Sequence, residues 1–428
     1  MIATTMILLL VLIGLSIPVA AALGVLGLIL DQLFSMLPLS RAMGEIAWST
    51  SNEFLLVAIP LFILLGEILL RTGFAGRMYD AMSLWLSWLP GGLMHANIGA
   101  CALFAATSGS SVATAATVGT VAMPQIKRHR YNESLFLGSI AAGGTLGILI
   151  PPSINLILYG VLTSTSVPKL YLAGFIPGIV LAGLFMVIVM IACTAKPEWG
   201  GHRINASWGR RFASLVDLLP PLGLFLLVVG SIYAGVATAT EAAALGVLGA
   251  LILAAFSRRL TIRMLREAIE GTMRATVMIM LIVVAAAFLS FIMAATGLTT
   301  ILTDAVIALN LSPTMMLLIV VLFYLVLGCL METLSMMITT IPIIAPIMFA
   351  LGFDPVWLGI VIIVLVEAAL ITPPVGLNLF VVQSLRKGGS MNDVIIGSLP
   401  FVIAMIVMVV LLAVFPDLAL WLPRVFGD

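Results

Sequence analysis

Two clusters of small polar residues interrupt an otherwise apolar sequence. Each is followed downstream by a proline pair and an asparagine. The first cluster is Ser108-Gly109-Ser110-Ser111, with Thr107 and Thr114 beside it; Thr145 and then Pro151-Pro152-Ser153-Ile154-Asn155 follow. The second is Met331-Glu332-Thr333-Leu334-Ser335, followed by Thr372-Pro373-Pro374-Val375-Gly376-Leu377-Asn378. Proline removes a backbone donor and clashes with the preceding turn, so a Pro-Pro pair breaks a helix. The break frees carbonyls at one half-helix end and N–H groups at the other. Carbonyls joined by Ser, Thr and Asn oxygens suit a hard cation such as Na+, and half-helix N-termini suit an anion. The chemistry to expect is therefore binding. Na+ is the expected coupling ion, held by Ser108, Ser110 and Asn155 at one cluster and by Thr333, Ser335 and Asn378 at the other, with no organic cofactor. Ser, Thr and Gly also sit at membrane helix contacts simply because they allow close approach. What favours a site is the conjunction of polar cluster, Pro-Pro break and asparagine, present twice at one spacing.

Four acids fall within or at the ends of apolar spans: Glu67, Glu241, Glu332 and Glu367. Acids inside a membrane are functional by default. Glu332 is the best placed, in the second cluster. Glu241 follows Thr238-Ala239-Thr240, where N-terminal capping is an equal alternative. Glu67 and Glu367 are candidates for a structural pair. No array of several His and acids suggests a proton relay, so Na+ coupling is preferred over H+.

The two sets of residues repeat because the chain repeats. AAALGVLG occurs at 20–27 and again at 242–249, an offset of 222 residues that also lays Pro151-Pro152 on Pro373-Pro374, Pro124 on Pro346 and Thr117 on Thr339. With small slips, Thr72-Gly73 and Asp80 meet Thr296-Gly297 and Asp304, and Gly174…Pro177 meets Gly397…Pro400. A duplicated apolar chain broken at matching places is the signature of a secondary transporter. Composition agrees: the 428 residues are 62% hydrophobic and 9% charged, against roughly 25% charged in soluble domains. The chain is thus a polytopic membrane protein. Long unalternated apolar runs favour helices over a barrel.

The elements follow from the spans. Repeat 1, residues 1–194, has spans near 2–16, 18–30, 54–70 and 169–194, with an interrupted stretch at 92–126 and a broken span at 134–162. Residues 195–216 connect it to repeat 2, residues 217–428, with spans at 217–235, 239–256, 275–295 and 394–415, an interrupted stretch at 313–347 and a broken span at 354–384. A span takes about 20 apolar residues. The interrupted stretches, each about 35 long with a polar middle, read as two half-helices forming a re-entrant hairpin, tolerated only beside protein or a water-filled cavity. Five true spans per repeat is an odd number, so the repeats are expected to be inverted: an all-α fold of two inverted five-helix repeats, each with a hairpin, of elevator type.

The positive-inside rule sets the orientation. With Lys127-Arg128-His129-Arg130 in the cytoplasm, Arg71, Arg77, Lys196, Arg203, Arg210, Arg211, Arg258, Arg259, Arg263, Arg266, Arg274, Arg386 and Lys387 also fall inside. Only Arg41, Lys169 and Arg424 fall outside, so sixteen of the 19 basic residues share one side, and both termini lie outside. Residues 74–89 and 258–274 are amphipathic and read as flat interfacial segments at matching places in the repeats. The first helix has no basic residue before it and is expected to be retained rather than cleaved. A net charge of +1 offers no surface for nucleic acid. Cys101, Cys193 and Cys329, and His95, His129 and His202, have no metal spacing. There is no Walker motif, Ser/His/Asp set or zinc pattern, so an enzyme is not expected.

The run GSSVATAATVGTVAMPQIKRHRYNESLFLGSIAAGGTLGILIPPSINLILYG (109–160) resembles the large membrane subunit of the tripartite ATP-independent periplasmic (TRAP) transporters. GVATATEAAALG (235–246) and LITPPVGLNLFV (370–381) are similar to that family's other marked segments, except that Ala239 stands where Pro is frequent. The resemblance spans essentially the whole chain. It implies an ion-transporter-superfamily elevator fold, Na+ coupling, and bacterial inner-membrane localisation. It also implies a separate four-helix membrane subunit and a soluble periplasmic substrate-binding protein as partners. Substrates would be organic anions: dicarboxylates, keto acids, sugar acids or sialic acids. It carries Ser108–Ser111, Glu332–Ser335, Asn155 and Asn378 onto ion or substrate roles. The alternatives are a stand-alone carboxylate symporter of the same superfamily and a channel; the paired breaks and the lack of charge rings disfavour the channel.

Overall fold

A computed structural model describes residues 1–15, 17–35, 37–202, 207–308, 311–329, 331–386 and 388–426. Arg203 and Lys387, counted in the charge argument, lie outside them. Repeat 1 begins with α1 (Ile2–Gly14), α2 (Val19–Phe34), α3 (Met43–Ser51), α4 (Ala58–Thr72) and α5 (Phe74–Leu86). Helices α6 (Leu93–Ser108) and α7 (Ser111–His129) form hairpin 1; α8 (Glu133–Thr145) and α9 (Ile154–Thr163) are halves of a broken helix, followed by α10 (Val167–Ala195). The connection carries α11 (Trp208–Ser214). Repeat 2 runs through α12 (Leu219–Tyr233), α13 (Ala239–Phe256), α14 (Ile262–Ala295) and α15 (Leu298–Ala308). Then come hairpin 2, α16 (Pro313–Gly328) and α17 (Thr333–Ala350), and the second broken helix, α18 (Pro355–Leu370) and α19 (Leu377–Leu385). The chain closes with α20 (Met391–Val414) and α21 (Asp417–Phe426). Seven helical segments among the described residues are long and apolar enough to cross a membrane.

Helices that start at depth have no water to satisfy their first N–H groups, so side chains must do it. Ser110 Oγ accepts from Ala113 N at the start of α7 (3.3 Å). Ser153 Oγ caps α9 (3.3 Å) and Glu332 Oε1 caps α17 (2.9 Å). At the outer ends of the broken helices, Asn132 Oδ1 caps α8 (3.0 Å) and Asp354 Oδ1 accepts from two N–H groups at the start of α18. The polar residues of the clusters are thus partly what allows the half-helices to exist.

The two broken helices run antiparallel. Near the end of α9, the Tyr159 hydroxyl donates to the Pro355 carbonyl at the start of α18 (2.7 Å). At the opposite end, Arg386, just after α19, donates to Glu133 at the start of α8 (2.8 Å). Between these ends the Asn378 amide donates to the Ala141 carbonyl (3.1 Å). The repeats are therefore inverted, with each broken helix laid along the other.

Helices α10 and α20 pack onto the broken helices. A methyl built on Gly138 in α8 would fall on the Gly397 carbonyl in α20, and one on Gly397 would fall on the Ser134 carbonyl. Gly174 in α10 approaches the Leu149 carbonyl, where a Cβ would stand at 2.7 Å. The hairpins, the broken helices, α10 and α20 thus form one block, and the last span of each repeat belongs to it. Helices α2, α14, α4 and α13 pack in series as a second group that meets the first through α4 and α14: Gly27 meets the Phe288 ring of α14, and Gly246 meets Leu65 of α4 and Val228 of α12.

Residues 258–274 are not a separate flat segment. α14 is continuous for 34 residues, about 51 Å at 1.5 Å per residue. Its sequence has one glycine and no proline, and its charged first turns are laced by Arg263–Glu267 (2.9 Å) and Arg266–Glu270 (2.7 Å) pairs. The counterpart of α5 is α15, which follows Thr296-Gly297 as α5 follows Thr72-Gly73, both glycines being left-handed. The inter-repeat connection is strapped to the base of hairpin 1. Tyr131 bridges Gly200, and the His202 N–H donates to the His129 carbonyl (2.9 Å).

Candidate functional site

A cavity of ≈ 360 Å³ is walled by both hairpin tips and both helix breaks. Ser108 to Ala113 and Glu332 to Leu334 supply the tips; Ile148, Ile154, Asn155, Leu370 and Leu377 come from the breaks. The remaining wall belongs to the other group of helices: Ile63, Gly66, Glu67 and Leu70 of α4, and Ala275, Met278 and Ile279 of α14.

Tip 1 lies directly on break 1. Gly109 has φ +61, and a Cβ there would stand 2.8 Å from the Pro152 carbonyl. A Cβ on Gly147 would meet the Ser110 backbone at 2.7 Å, and one on Gly66 the Ser108 carbonyl at 2.9 Å. Only glycine permits such backbone approach. The tip concentrates oxygen: Ser108 Oγ is 3.0 Å from Thr114 Oγ1, and Thr114 donates to the Ser110 carbonyl (2.7 Å). Behind the tip, Thr145 donates to the Ala142 carbonyl and Ser153 to the Ile148 carbonyl. Both Pro151-Pro152 and Pro373-Pro374 bonds are cis.

Tip 2 has a carboxylate where tip 1 has a hydroxyl. Glu332 Oε1 accepts from both the N–H and the hydroxyl of Ser335 (2.9 and 2.8 Å). Thr333 is buried at the first turn of α17. In break 2, Thr372 donates to the Ala368 carbonyl (2.6 Å), and Gly376 stands at φ +20 before α19. Asn378 is fully buried; its amide nitrogen holds Ala141, and its Oδ1 has no hydrogen-bond partner. Asn155 donates to Met337 Sδ in the opposite repeat (3.4 Å).

Ser108, Gly109, Ser110, Ser111, Asn155, Glu332 and Thr333 thus meet in one cavity. Thr145, Pro151, Ser153, Ser335, Thr372, Pro373, Gly376 and Asn378 form the breaks and turns behind it and do not line it. Glu67 and Glu367 are not paired with each other. Glu67 pairs with Arg71 one turn along α4, and Arg71 also approaches Glu267. Glu367 is fully buried in α18, where its carboxylate faces the Leu149 backbone N–H of break 1 and has no ion-pair partner among the described residues. Glu241 completes a capping box with Thr238, the bland role of the two weighed. The α14 residues of the cavity wall escape sequence reasoning because they are ordinary apolar positions of a long helix. Gly66 beside Glu67 was the available signal for the α4 wall.

The Glu332 cap gives a separable expectation. Glu332→Ala removes it and costs about 1 kcal/mol. Glu332→Gln keeps an acceptor, so its thermal midpoint should match the unsubstituted protein. Equal destabilisation by both would show that the carboxylate charge, not the cap, holds tip 2.

The profile of the TRAP transporter DctM component (tripartite ATP-independent periplasmic) matches residues 6–418. The chain is 34% identical over 398 residues to the C4-dicarboxylate TRAP transporter large permease protein DctM of Pseudomonas aeruginosa, covering 90% of each. It is 31% identical to the sialic acid TRAP transporter large permease protein SiaM of Vibrio cholerae, covering 88% of this chain and 87% of that one. It is equally identical to the ectoine TRAP transporter large permease protein TeaC of Halomonas elongata, covering 86% of each. In fold it is similar to the YdaH transporter of Alcanivorax borkumensis, with TM-score 0.60, 15% identity, and coverage of 89% of this chain and 90% of that one.

Proposed function

Because the chain belongs to the DctM family of tripartite ATP-independent periplasmic transporters, we propose that it is the transport subunit of a Na+-coupled, binding-protein-dependent importer of a small organic anion. The observation that carries this reading is the single cavity closed by two inverted hairpin tips and two helix breaks. Its donor set is hydroxyl, amide, backbone carbonyl and, from Glu67 and Glu332, carboxylate oxygen, which suits a hard cation; behind it the buried Asn378 Oδ1 is left with an open lone pair. Ser108, Ser110 and Asn155 would hold one ion and Thr333, Ser335 and Asn378 the other; an ion there supplies positive charge beside the anion. The relatives' names span dicarboxylate, sialic acid and ectoine. The substrate class proposed is therefore organic acids, with selection shared by the periplasmic protein.

Transport would follow an elevator course. The block of hairpins, broken helices, α10 and α20 would move against α2, α4, α13 and α14, of which α4 and α14 contribute the fixed wall of the cavity and the group as a whole the seat for the small four-helix subunit. The decisive experiment is uptake in proteoliposomes containing this chain, its small subunit and the binding protein. Saturable uptake that requires both the Na+ gradient and the binding protein is expected. Uptake without the binding protein would favour a stand-alone symporter, and non-saturable flux a channel.

Orientation has its own test. Arg386 and Glu133 join two loops of the basic side, which supports placing 127–133 and 386–393 together in the cytoplasm of the bacterial inner membrane, both termini periplasmic. A cysteine at position 127 should resist an impermeant thiol reagent on intact cells, and one at 424 should react. The reverse pattern sinks the assignment.

A further inference from the structure

Neither ion position uses Glu367. It is fully buried in α18, and every other buried position of that helix from Trp357 to Leu370 is apolar. Among the described residues no basic side chain pairs with it; what its carboxyl faces is the Leu149 N–H of break 1, in the other repeat. An acid in so dry a place is costlier than the apolar residue that would fill the same volume. Packing alone therefore does not account for it.

Leu149 stands in the turn between α8 and α9. Its N–H reaches the Leu146 carbonyl at 3.3 Å, while the Ile150 N–H takes the same carbonyl at 3.0 Å. The Leu149 N–H is thus poorly served within its own repeat, and a buried donor needs an acceptor. Glu367 brings one from the opposite repeat. The Leu149 carbonyl is held in turn by α10, where it lies against Gly174.

The contact backs the wall of the central cavity. Leu149 follows Ile148, and Glu367 lies one turn before Leu370 on the same helix face; Ile148 and Leu370 both line the cavity. Gly147, two residues before Leu149, packs on the Ser110 backbone of tip 1. Break 1 therefore meets tip 1 at Gly147 and repeat 2 at Leu149. At the offset of 222 the position matching Glu367 is Thr145, whose hydroxyl bonds the Ala142 carbonyl of its own helix. Where repeat 1 makes a local bond, repeat 2 reaches across.

We propose that Glu367 is a positioning residue: a carboxyl oxygen accepts from the Leu149 N–H and so fixes break 1, and through Gly147 the oxygens of tip 1, from the opposite repeat. It acts as an acceptor rather than as a charge, and it touches neither ion nor substrate. Its effect on Na+ affinity rests on the Na+ coupling proposed above; its effect on break 1 does not.

The test compares Glu367→Met with Glu367→Gln in the complete chain. The two side chains are close in length and volume, and only glutamine keeps a strong acceptor. Hydrogen–deuterium exchange of peptides covering 146–153, in nanodiscs without Na+, reads how firmly break 1 is held. Exchange there should quicken about tenfold in Glu367→Met and stay unchanged in Glu367→Gln. In proteoliposomes with the small subunit and the binding protein, Glu367→Met should raise the Na+ concentration for half-maximal uptake about tenfold and keep the maximum. Glu367→Gln should match the unsubstituted protein. A merely structural defect would lower the maximum and leave the half-saturating concentration in place. Glu367→Leu repeats the comparison should the methionine variant fail to fold. Quickened exchange in Glu367→Met, beside uptake that ignores Na+ in the unsubstituted protein, would remove the Na+ coupling and leave the tie between Glu367 and break 1 standing. Unchanged exchange in both apolar variants overturns the tie. Equal effects of methionine and glutamine would assign the role to charge, and overturn it as well.

Discussion

Gly397→Ala is expected to leave little folded protein. The added methyl would land on the Ser134 carbonyl, and that of Gly138→Ala on the Gly397 carbonyl. Overpacking ordinarily costs 1–3 kcal/mol when side chains can rearrange. Here the obstacle is backbone held in two packed helices, so about 3 kcal/mol or more is expected. That is a large part of a typical stability of 5–15 kcal/mol. Gly183→Ala and Gly230→Ala are the controls, because nothing lies within 4 Å of either position. Alanine is the better helix former there by up to ~1 kcal/mol. Detergent-solubilised protein, heated and passed over a sizing column, reads the difference. A Gly397→Ala protein as heat-resistant as Gly183→Ala would mean that α8 and α20 are not in backbone contact.

The second large effect is expected at Asn378. Its amide nitrogen is already committed to Ala141, and its Oδ1 is buried with no partner. A buried carbonyl oxygen left idle costs roughly 1–3 kcal/mol, so an occupant is expected, and under the proposed function that occupant is Na+. Bonds to charged groups contribute about 1.5–3 kcal/mol, and every 1.4 kcal/mol is tenfold in affinity. Asn378→Ala should therefore raise the Na+ concentration for half-maximal uptake by about tenfold or more, and Asn155→Ala by less, since Asn155 already borders the cavity. Maximal uptake at saturating Na+ should survive in part. Unchanged Na+ activation in both variants would return the asparagines to packing.

The repeat, the breaks and the polar tips could be read from sequence because each depends on residues with one dominant local effect. Pro-Pro stops a helix wherever it stands, and Gly109 or Gly376 marks a turn that other residues resist. The register between repeats was legible because the duplication kept such punctuators. What could not be read depends on partners distant in the chain. The pairing of Arg386 with Glu133 and Asp393 joins residues up to 253 positions apart. The Gly138–Gly397 crossing uses glycines that look ordinary in an apolar helix. Residues 258–274 misled because charge at helical spacing fits both a flat interfacial helix and the projecting end of a long one, and α14 is the second. Glu67 and Glu367 are similarly apolar in context, yet one meets Arg71 and the other, among the described residues, meets no basic side chain.

The length of α14 has a consequence for how the protein sits in its bilayer. Its uncharged portion, residues 275–295, measures about 31 Å, close to the ~30 Å of hydrocarbon it must cross. The preceding turns, with their arginines and glutamates, stand beyond that layer. A helix so matched pins its group to a fixed height, since shifting it along the normal would drag either charge into lipid or apolar surface into water. The half-helices of the block carry no such ruler: α9 and α19 are 10 and 9 residues long, and neither can register against both faces. In the block that part falls to α10 and α20, which at 29 and 24 residues are long enough to cross, so the bilayer holds the block through its outer spans and leaves the half-helices around the cavity free of either face. Thinning or thickening the lipid should then change the travel between the two groups before it changes their folding.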